Sequence, residues 1–449
     1  MIAIKRNKFK IIVAAVGAVI MMVSDGGAVI DTTARSASFS FKGALVRKPG
    51  PTSQFSKSLA HFTMGIIYDD EEAFDSAICE YKQALAVTPD VSYIHTRLAV
   101  DYILVKDNSR AIDELKAAKA LDPGDARPKL LTALVYTSLN KFEEARKEYE
   151  EVTRLDPESI WALSNLADIL VLQKKLNEAA AIYEKLLEKE SASEAIYFNL
   201  AVIYSRTGKL DAAIDRLKGA IRINPDYIEA YIGLGILYEM KKDIPNAIAS
   251  FEKASGLDPL NTAIYSQLGV LYYKSKKMDD AIRQYDTVVK LNPKDCDAYI
   301  ALGYMYAEAG RFQDALKTFT TAQELDKNDP KPHFYLGMVY DRMKQKALAI
   351  KELREAIKLA PAFSDAYNYL GYMFAEDGIN LDEAIILIEK AIEIEPDNGA
   401  YVDSLGWAYF KKGMLYQALE ELEKAVKLEP NEPEIKGHLD TVREKLKNL

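Results

Sequence analysis

Between Ser58 and Glu432 apolar residues recur in two blocks per 34 residues, each at three- and four-residue spacing, with a short polar turn between them. Tyr299, Leu302 and Tyr306 form one such block and Ala315, Leu316, Phe319 and Ala322 the next, separated by a turn around Gly310. That spacing lines side chains along one face of a helix, so each block predicts an amphipathic helix and each pair of blocks a hairpin. Prolines mark the period. Pro89, Pro123, Pro157, Pro225, Pro259, Pro293, Pro361, Pro396 and Pro430 stand on one ladder of 34-residue steps, with Ser191 and Lys327 on two rungs and a single step of 35. A fixed period of this size predicts stacked units, here eleven hairpins over residues 58–432. The longer step is absorbed in a turn, where Glu376 to Ala384 has one residue more than Glu308 to Ala315.

Counting each hairpin from its first residue, position 8 is glycine or alanine throughout, and position 20 is alanine in all eleven, from Ala77 to Ala418. Small residues at fixed points let two helix axes approach closely. Position 11 is tyrosine in nine hairpins, with Leu170 and Phe374 as the exceptions, which puts a large ring beside each small neighbour. Glycines 208, 310, 378 and 413 in the turns suit a left-handed helix end. The ladder prolines lack an N–H and predict where each second helix stops.

These residues resemble the tetratricopeptide repeat pattern: large at position 4, Leu at 7, small at 8, Tyr at 11, Ala at 20, aromatic at 24, Ala at 27 and Pro at 32. The sixth hairpin matches it throughout, with Tyr231, Leu234, Gly235, Tyr238, Ala247, Phe251, Ala254 and Pro259. The resemblance implies an all-α, right-handed α-superhelical solenoid in which the first helices line a concave groove. Lys129, Thr132, Leu170 and Ser191 depart from the pattern and predict looser packing in the third and fourth hairpins. After the last repeat, Ile435, Leu439, Val442 and Leu446 share one stripe, so residues 433–449 predict a helix that caps the array.

The N-terminus differs in kind. Four bases lie within the first ten residues, and Ile11 to Val23 is an unbroken apolar run of thirteen. Thirteen residues at 1.5 Å rise span about 20 Å, short of a hydrocarbon layer of about 30 Å. The run therefore predicts a signal-peptide core, with Gly26-Gly27-Ala28 as a small-residue cleavage site, or else an uncleaved membrane anchor; residues 1–28 are assigned to that element. Residues 29–57, rich in Ser, Thr, Gly and Pro, predict a flexible linker. Export to the periplasm or cell envelope of a bacterium is the expected location, with inner-membrane anchoring by residues 11–23 if the segment is retained. The chain carries −9 overall, but the first 57 residues hold +7 and the remainder −16. An acidic body of that size repels phosphate backbones and excludes nucleic acid as its partner.

No catalytic motif emerges, so no enzyme, no cofactor, no metal and no small-molecule substrate is expected. His61, His95 and His333 stand at position 4, where a packing residue belongs, while His438 has no evident partner. Asp69 to Asp75 is acid-rich but lacks the alternation and central glycine of a calcium loop, and predicts a solvated turn. Cys79 and Cys296 are expected as free packing thiols.

In the family that the sequence resembles, positions 2, 5, 6, 9, 12 and 13 face the groove. Thr96, Val100, Leu130, Leu131 and Leu134 make that surface apolar early in the chain. Asn165 and Asn199 resemble rungs of an amide ladder that could pair with an extended peptide backbone. Tyr304, Tyr335, Tyr369, Tyr372 and Trp407 place rings at positions 6 and 9, where interface anchors of low entropy cost are favoured. The lysine and asparagine set of a carboxylate clamp is absent. The expectation is a non-enzymatic scaffold that holds a peptide or protein segment in this groove, or alternatively a membrane-tethered periplasmic assembly factor of an envelope or polysaccharide-export machine.

Overall fold

The computed structural model describes residues 52–188 and 193–448, so the segment 1–28, most of the expected linker and the Ser191 rung lie outside the described residues. Two units divide the chain after Ala230. The first contains α1 (Thr52–Asp70), α2 (Phe74–Val87), α3 (Ser92–Leu104), α4 (Asn108–Leu121), α5 (Ala126–Ser138), α6 (Phe142–Leu155), α7 (Ile160–Leu172), α8 (Leu176–Leu187), α9 (Glu194–Arg206) and α10 (Leu210–Ile223). The division falls within α11 (Ile228–Met240). The second unit continues with α12 (Ile244–Leu257), α13 (Thr262–Lys274), α14 (Met278–Leu291), α15 (Cys296–Glu308), α16 (Phe312–Leu325), α17 (Pro330–Arg342), α18 (Lys346–Leu359), α19 (Ser364–Asp377), α20 (Leu381–Ile394), α21 (Gly399–Lys411), α22 (Leu415–Leu428) and α23 (Pro433–Lys447). The described residues form 23 helices and no strand, an all-α solenoid of helix pairs. None of these helices is long and apolar enough to cross a membrane.

Close approach at two points holds each pair together. All eleven alanines at position 20 are fully buried. A Cβ added to Gly303 would stand 2.6 Å from the Phe319 ring, and one added to Gly235 would stand 2.5 Å from Phe251. The position-8 glycine is thus the socket for the side chain at position 24. Within each unit a second helix packs on its own first helix and on the first helix that follows. Positions 3, 7 and 10 of a first helix face the preceding pair; Ile264, Leu268 and Leu271 are at most 2% exposed.

The turns follow one rule that glycine alone does not reveal. The residue at position 15 has positive φ in all eleven pairs, yet it is glycine only at 208, 310, 378 and 413; Lys106, Lys174, Lys242, Lys276 and Lys344 adopt φ between 61° and 65°, or 59° for Lys276. A left-handed non-glycine residue costs about 1 kcal/mol, which an amide hydrogen bond from Lys277 N to Tyr272 O, 2.9 Å, helps to offset. Lys276→Gly is therefore expected to stabilise the chain by up to about 0.5 kcal/mol, after the added freedom of the unfolded glycine is subtracted, and Gly310→Lys to cost a similar amount. Thermal unfolding of the two variants checks both signs. In the tenth pair the extra residue is accommodated by a second left-handed residue, Asn380, two positions after Gly378.

Second helices stop without need of the proline. At the Lys327 rung α16 ends at Leu325 as in its neighbours, with Asp326 extended at φ −135° and ψ 100°. The Asp326 carboxylate accepts from Asn328 N at 2.9 Å, and Asp122, Asp156 and Asn224 make the same turn two residues back from Gly124, Glu158 and Asp226. A side-chain acceptor competing for the backbone ends the helix at that point.

Several expectations require correction. α1 starts at Thr52, so six residues assigned to the linker are helical; Ser58 is buried mid-helix, its Oγ donating to Ala84 O at 3.1 Å, and helix propagation beyond an anchored turn adds one backbone bond per residue. The third hairpin is not loose. Lys129 is 8% exposed because its stem packs while Nζ donates to Pro123 O, 2.8 Å, and Thr132 Oγ1 returns its proton to Pro128 O. Cys79 is exposed rather than packed, although both thiols are free. The histidines at position 4 pack, but each also pairs with a glutamate nineteen residues on: His61 with Glu80 at 2.7 Å, His95 with Glu114 at 2.6 Å and His333 with Glu352 at 2.7 Å. The hydrogen bond to Glu114 raises the His95 pKa above its ordinary value against the opposing effect of burial.

The acidic turn at the end of α1 is likewise not all solvated. Asp69 is largely buried and takes a hydrogen bond from Tyr81 Oη, 2.6 Å, and an ion pair from Arg97. Asp101 lies beside them, 1% exposed, and burial together with the Asp69 charge pushes its pKa up to about 9. Asp69 Oδ1 and Asp101 Oδ2 are buried with no other partner, and a proton held on Asp101 and shared with Asp69 satisfies both.

Candidate functional site

The first helices of unit two carry rings at positions that lie one above another from pair to pair. Tyr273 of α13 meets Tyr304 of α15 edge to face at 5.9 Å, their hydroxyls 3.3 Å apart. Tyr304 meets Tyr335 of α17 at 6.0 Å, and Tyr335 lies flat on Phe319 at 5.3 Å. Phe334 then links Tyr335 to Tyr369 of α19, 5.3 and 5.9 Å away. Offset and edge-on contacts of this kind stabilise ring pairs beyond the area they bury. Tyr304, Tyr335, Phe319, Met338, Glu308 and Arg342 line a small pocket in this row.

Of the residues expected in the groove, the structure brings Tyr304, Tyr335 and Tyr369 into this row. Each is only partly buried, and burial holds the Tyr335 and Tyr369 hydroxyls above their ordinary pKa, with Asp341 accepting from Tyr369 Oη at 3.1 Å. The Tyr304 pKa is raised first by its hydrogen bond to Tyr273 and then by burial. All three remain neutral donors. Tyr372 is half-buried, its pKa pushed up to about 12 by burial and by Glu376, Glu434 and Asp403.

Trp407 is not open in the way expected. His438 of α23 stacks on it at 4.1 Å, Phe410 covers it at 4.9 Å, and Nε1 donates to Glu376 at 2.6 Å. His438, for which the sequence suggests no partner, has its Nδ1 2.9 Å from Asp403 Oδ2. The amides are also engaged. Asn165 Nδ2 donates to Trp161 O in its own helix, 2.8 Å, and Asn199 Nδ2 to Tyr183 Oη, 3.1 Å. Thr96, Val100, Leu131 and Leu134 are buried between hairpins instead of lining an open surface.

Two features were missed. Tyr273 occupies position 12, a groove position, but in the seventh hairpin, one step before the ring-rich segment begins. The second is a row of ion pairs between successive first helices: Lys274 with Glu239, 2.7 Å, Arg342 with Glu308, 2.8 Å, and Lys411 with Glu376, 3.6 Å. These positions, 12 or 13 in one pair and 13 in the next, show the charge alternation only when adjacent repeats are read side by side. Exposed pairs like these contribute little to stability and mainly fix the charge pattern of the edge. Among the described residues no group of three or more His, Cys, Asp or Glu is placed to hold a metal ion.

Paired helices with small sockets, left-handed turns and a 34-residue register define a helical-repeat protein. Comparison with known proteins gives the repeat its name. Tetratricopeptide repeat patterns match residues 133–173 and 403–432, and the pattern of the cilia and flagella-associated protein 70 C-terminal domain matches residues 159–369. The chain carries tetratricopeptide repeats in both units. A TPR repeat-containing protein of Pseudomonas aeruginosa is 37% identical over 89 residues, 20% of this chain and 15% of that protein's length. Yeast Tom70 aligns at 19% identity over 88% of this chain and 96% of its own, TM-score 0.44. A tetratricopeptide repeat protein from Parabacteroides merdae aligns at 18% identity over 56% and 98%, TM-score 0.48.

Proposed function

We propose that this protein is a non-enzymatic scaffold that binds a protein segment along the ring row of unit two, and that it works at a bacterial cell envelope. The observation that carries the binding reading is the continuous contact of Tyr273, Tyr304 and Tyr335 over a pocket. Partly buried tyrosines fixed by one another offer large contact area with little rotamer entropy left to lose, as an interface anchor requires. The ion-pair row along the same helices supplies donors and acceptors of both signs beside the rings. Export rests on the basic start and the apolar run Ile11 to Val23 of the sequence.

The test is crosslinking from a photoreactive residue at Tyr304 in the native envelope fraction, with adducts identified by mass. A discrete protein adduct that weakens about tenfold or more with Tyr335→Ala, a loss of roughly 1.4 kcal/mol, is expected. Adducts unchanged by that substitution, in a chain of unchanged helicity, would sink the reading.

The second reading is a membrane-tethered periplasmic assembly factor of an envelope or polysaccharide-export machine. It is favoured by the four bases directly before the apolar run, which would hold an uncleaved anchor with its N-terminus inside. N-terminal sequencing separates the two, since a mature start near Val29 eliminates the tether.

A further inference from the structure

The two ends of the array are finished differently. α23 keeps the repeat register: Ile435, Leu439 and Val442 fall at positions 3, 7 and 10, and all are buried against the preceding pair. Its opposite side, which would meet a second helix, presents Lys436, Asp440 and Arg443 and needs no cover. At the other end, α1 shows the reverse. Positions 3, 7 and 10 of the next hairpin, Ile94, Leu98 and Asp101, are 5%, 1% and 1% exposed, whereas in α1 Ala60 is exposed, Met64 is 39% exposed and Ile67 is 42% exposed. A surface built like eleven others for helix packing is left open among the described residues.

We propose that this face of α1 is a homodimer interface whose occupant is α1 of a second copy, running antiparallel about a two-fold axis at Met64. Three observations select that occupant. First, head-to-tail stacking is disfavoured, because the free side of α23 is charged. Second, Lys57 and Met64 on α1 and Glu71, the turn residue directly after it whose N–H still bonds to Ile67 O at 3.1 Å, are spaced by seven residues and so lie close to one line, with Ala60 and Ile67 beside it. Third, a two-fold axis at residue 64 sets Lys57 of each copy opposite Glu71 of the other, and both residues are exposed. Seven residues on either side of the axis correspond to about 10 Å along the helix, so the apolar centre is closed at both ends by opposite charges. Like charges would face each other if one member were reversed.

Sedimentation equilibrium of the full chain tests this. A monomer–dimer equilibrium within about 1–100 μM is expected, with Met64→Asp driving the protein to monomer while its thermal unfolding is unchanged. Lys57→Glu and Glu71→Lys alone are each expected to weaken the dimer by about tenfold or more, and the double variant to restore it, because the swapped charges pair again across the axis. A monomer throughout that range overturns the proposal. So does a dimer indifferent to Met64→Asp, a double variant no tighter than the single ones, or assembly that continues past two copies.

Discussion

Arg97→Ala is expected to destabilise unit one by about 3–5 kcal/mol, the usual cost of removing one partner from a buried ion pair. The guanidinium is 7% exposed and Asp69 10%, so water cannot replace the lost contact. Two carboxyl groups, Asp69 and Asp101, and the Tyr81 hydroxyl share that charge, and its removal leaves the Asp69 charge with only the Tyr81 hydroxyl and the shared Asp101 proton in a dry site. The chain has two tryptophans, Trp161 in unit one and Trp407 in unit two. Denaturant unfolding followed by Trp161 fluorescence in a Trp407→Phe background reads unit one alone. A midpoint within error of the parent would show that the cluster adds nothing. Asp69→Asn combined with Arg97→Ala should recover part of the loss, because the orphaned charge is then gone.

Asp101→Asn is expected to act in the opposite direction, stabilising unit one at pH 7 by on the order of 2–4 kcal/mol. Folding raises the Asp101 pKa to about 9, chiefly through burial and then through Asp69, with Arg97 opposing. Between the unfolded value near 4 and that folded value the native state binds a proton that the unfolded chain lacks, so the stability contributed by the protonated acid is complete below about pH 4 and lost as pH rises toward 9. An asparagine amide donates to Asp69 as the acid does and does not titrate. The parent's stability should therefore fall with pH across this window, the variant's should be flatter, and the two curves should converge near pH 4. Parallel curves would mean that Asp101 is not the group that takes up the proton. Tyr81 and Arg97 also face the acid, and both stay in their usual charge states throughout, since burial pushes the first up and its neighbours push the second up.

The fold was legible because the information that sets it is local and repeated. Alanine at position 20 and glycine or alanine at position 8 are readable one hairpin at a time, and they mark the two closest contacts. Left-handed turns were half legible: glycine announces them, but Lys276 or Lys344 gives no sign, because the closing backbone hydrogen bonds impose the conformation whatever the side chain. The site was read less completely. Tyr304, Tyr335 and Tyr369 fall in one ring row as their type and position predict, whereas the use of Asn165 and Asn199 depends on Trp161 O and Tyr183 Oη, which no position rule supplies. The cover on Trp407 comes from His438, thirty-one residues away, on the capping helix, whose repeat register the apolar stripe alone does not show. The Asp69, Arg97 and Asp101 cluster was invisible for the same reason, since each of the three looks like an ordinary surface charge until two hairpins are stacked.

That the closing helix is half of a repeat has an evolutionary consequence. Residues 399 and 433 begin equivalent helices 34 residues apart, so duplication of one whole module ahead of Pro433 would hand the same neighbour to α23 that it has now. The described array can lengthen by in-frame copying at that junction with the packing of α23 unchanged.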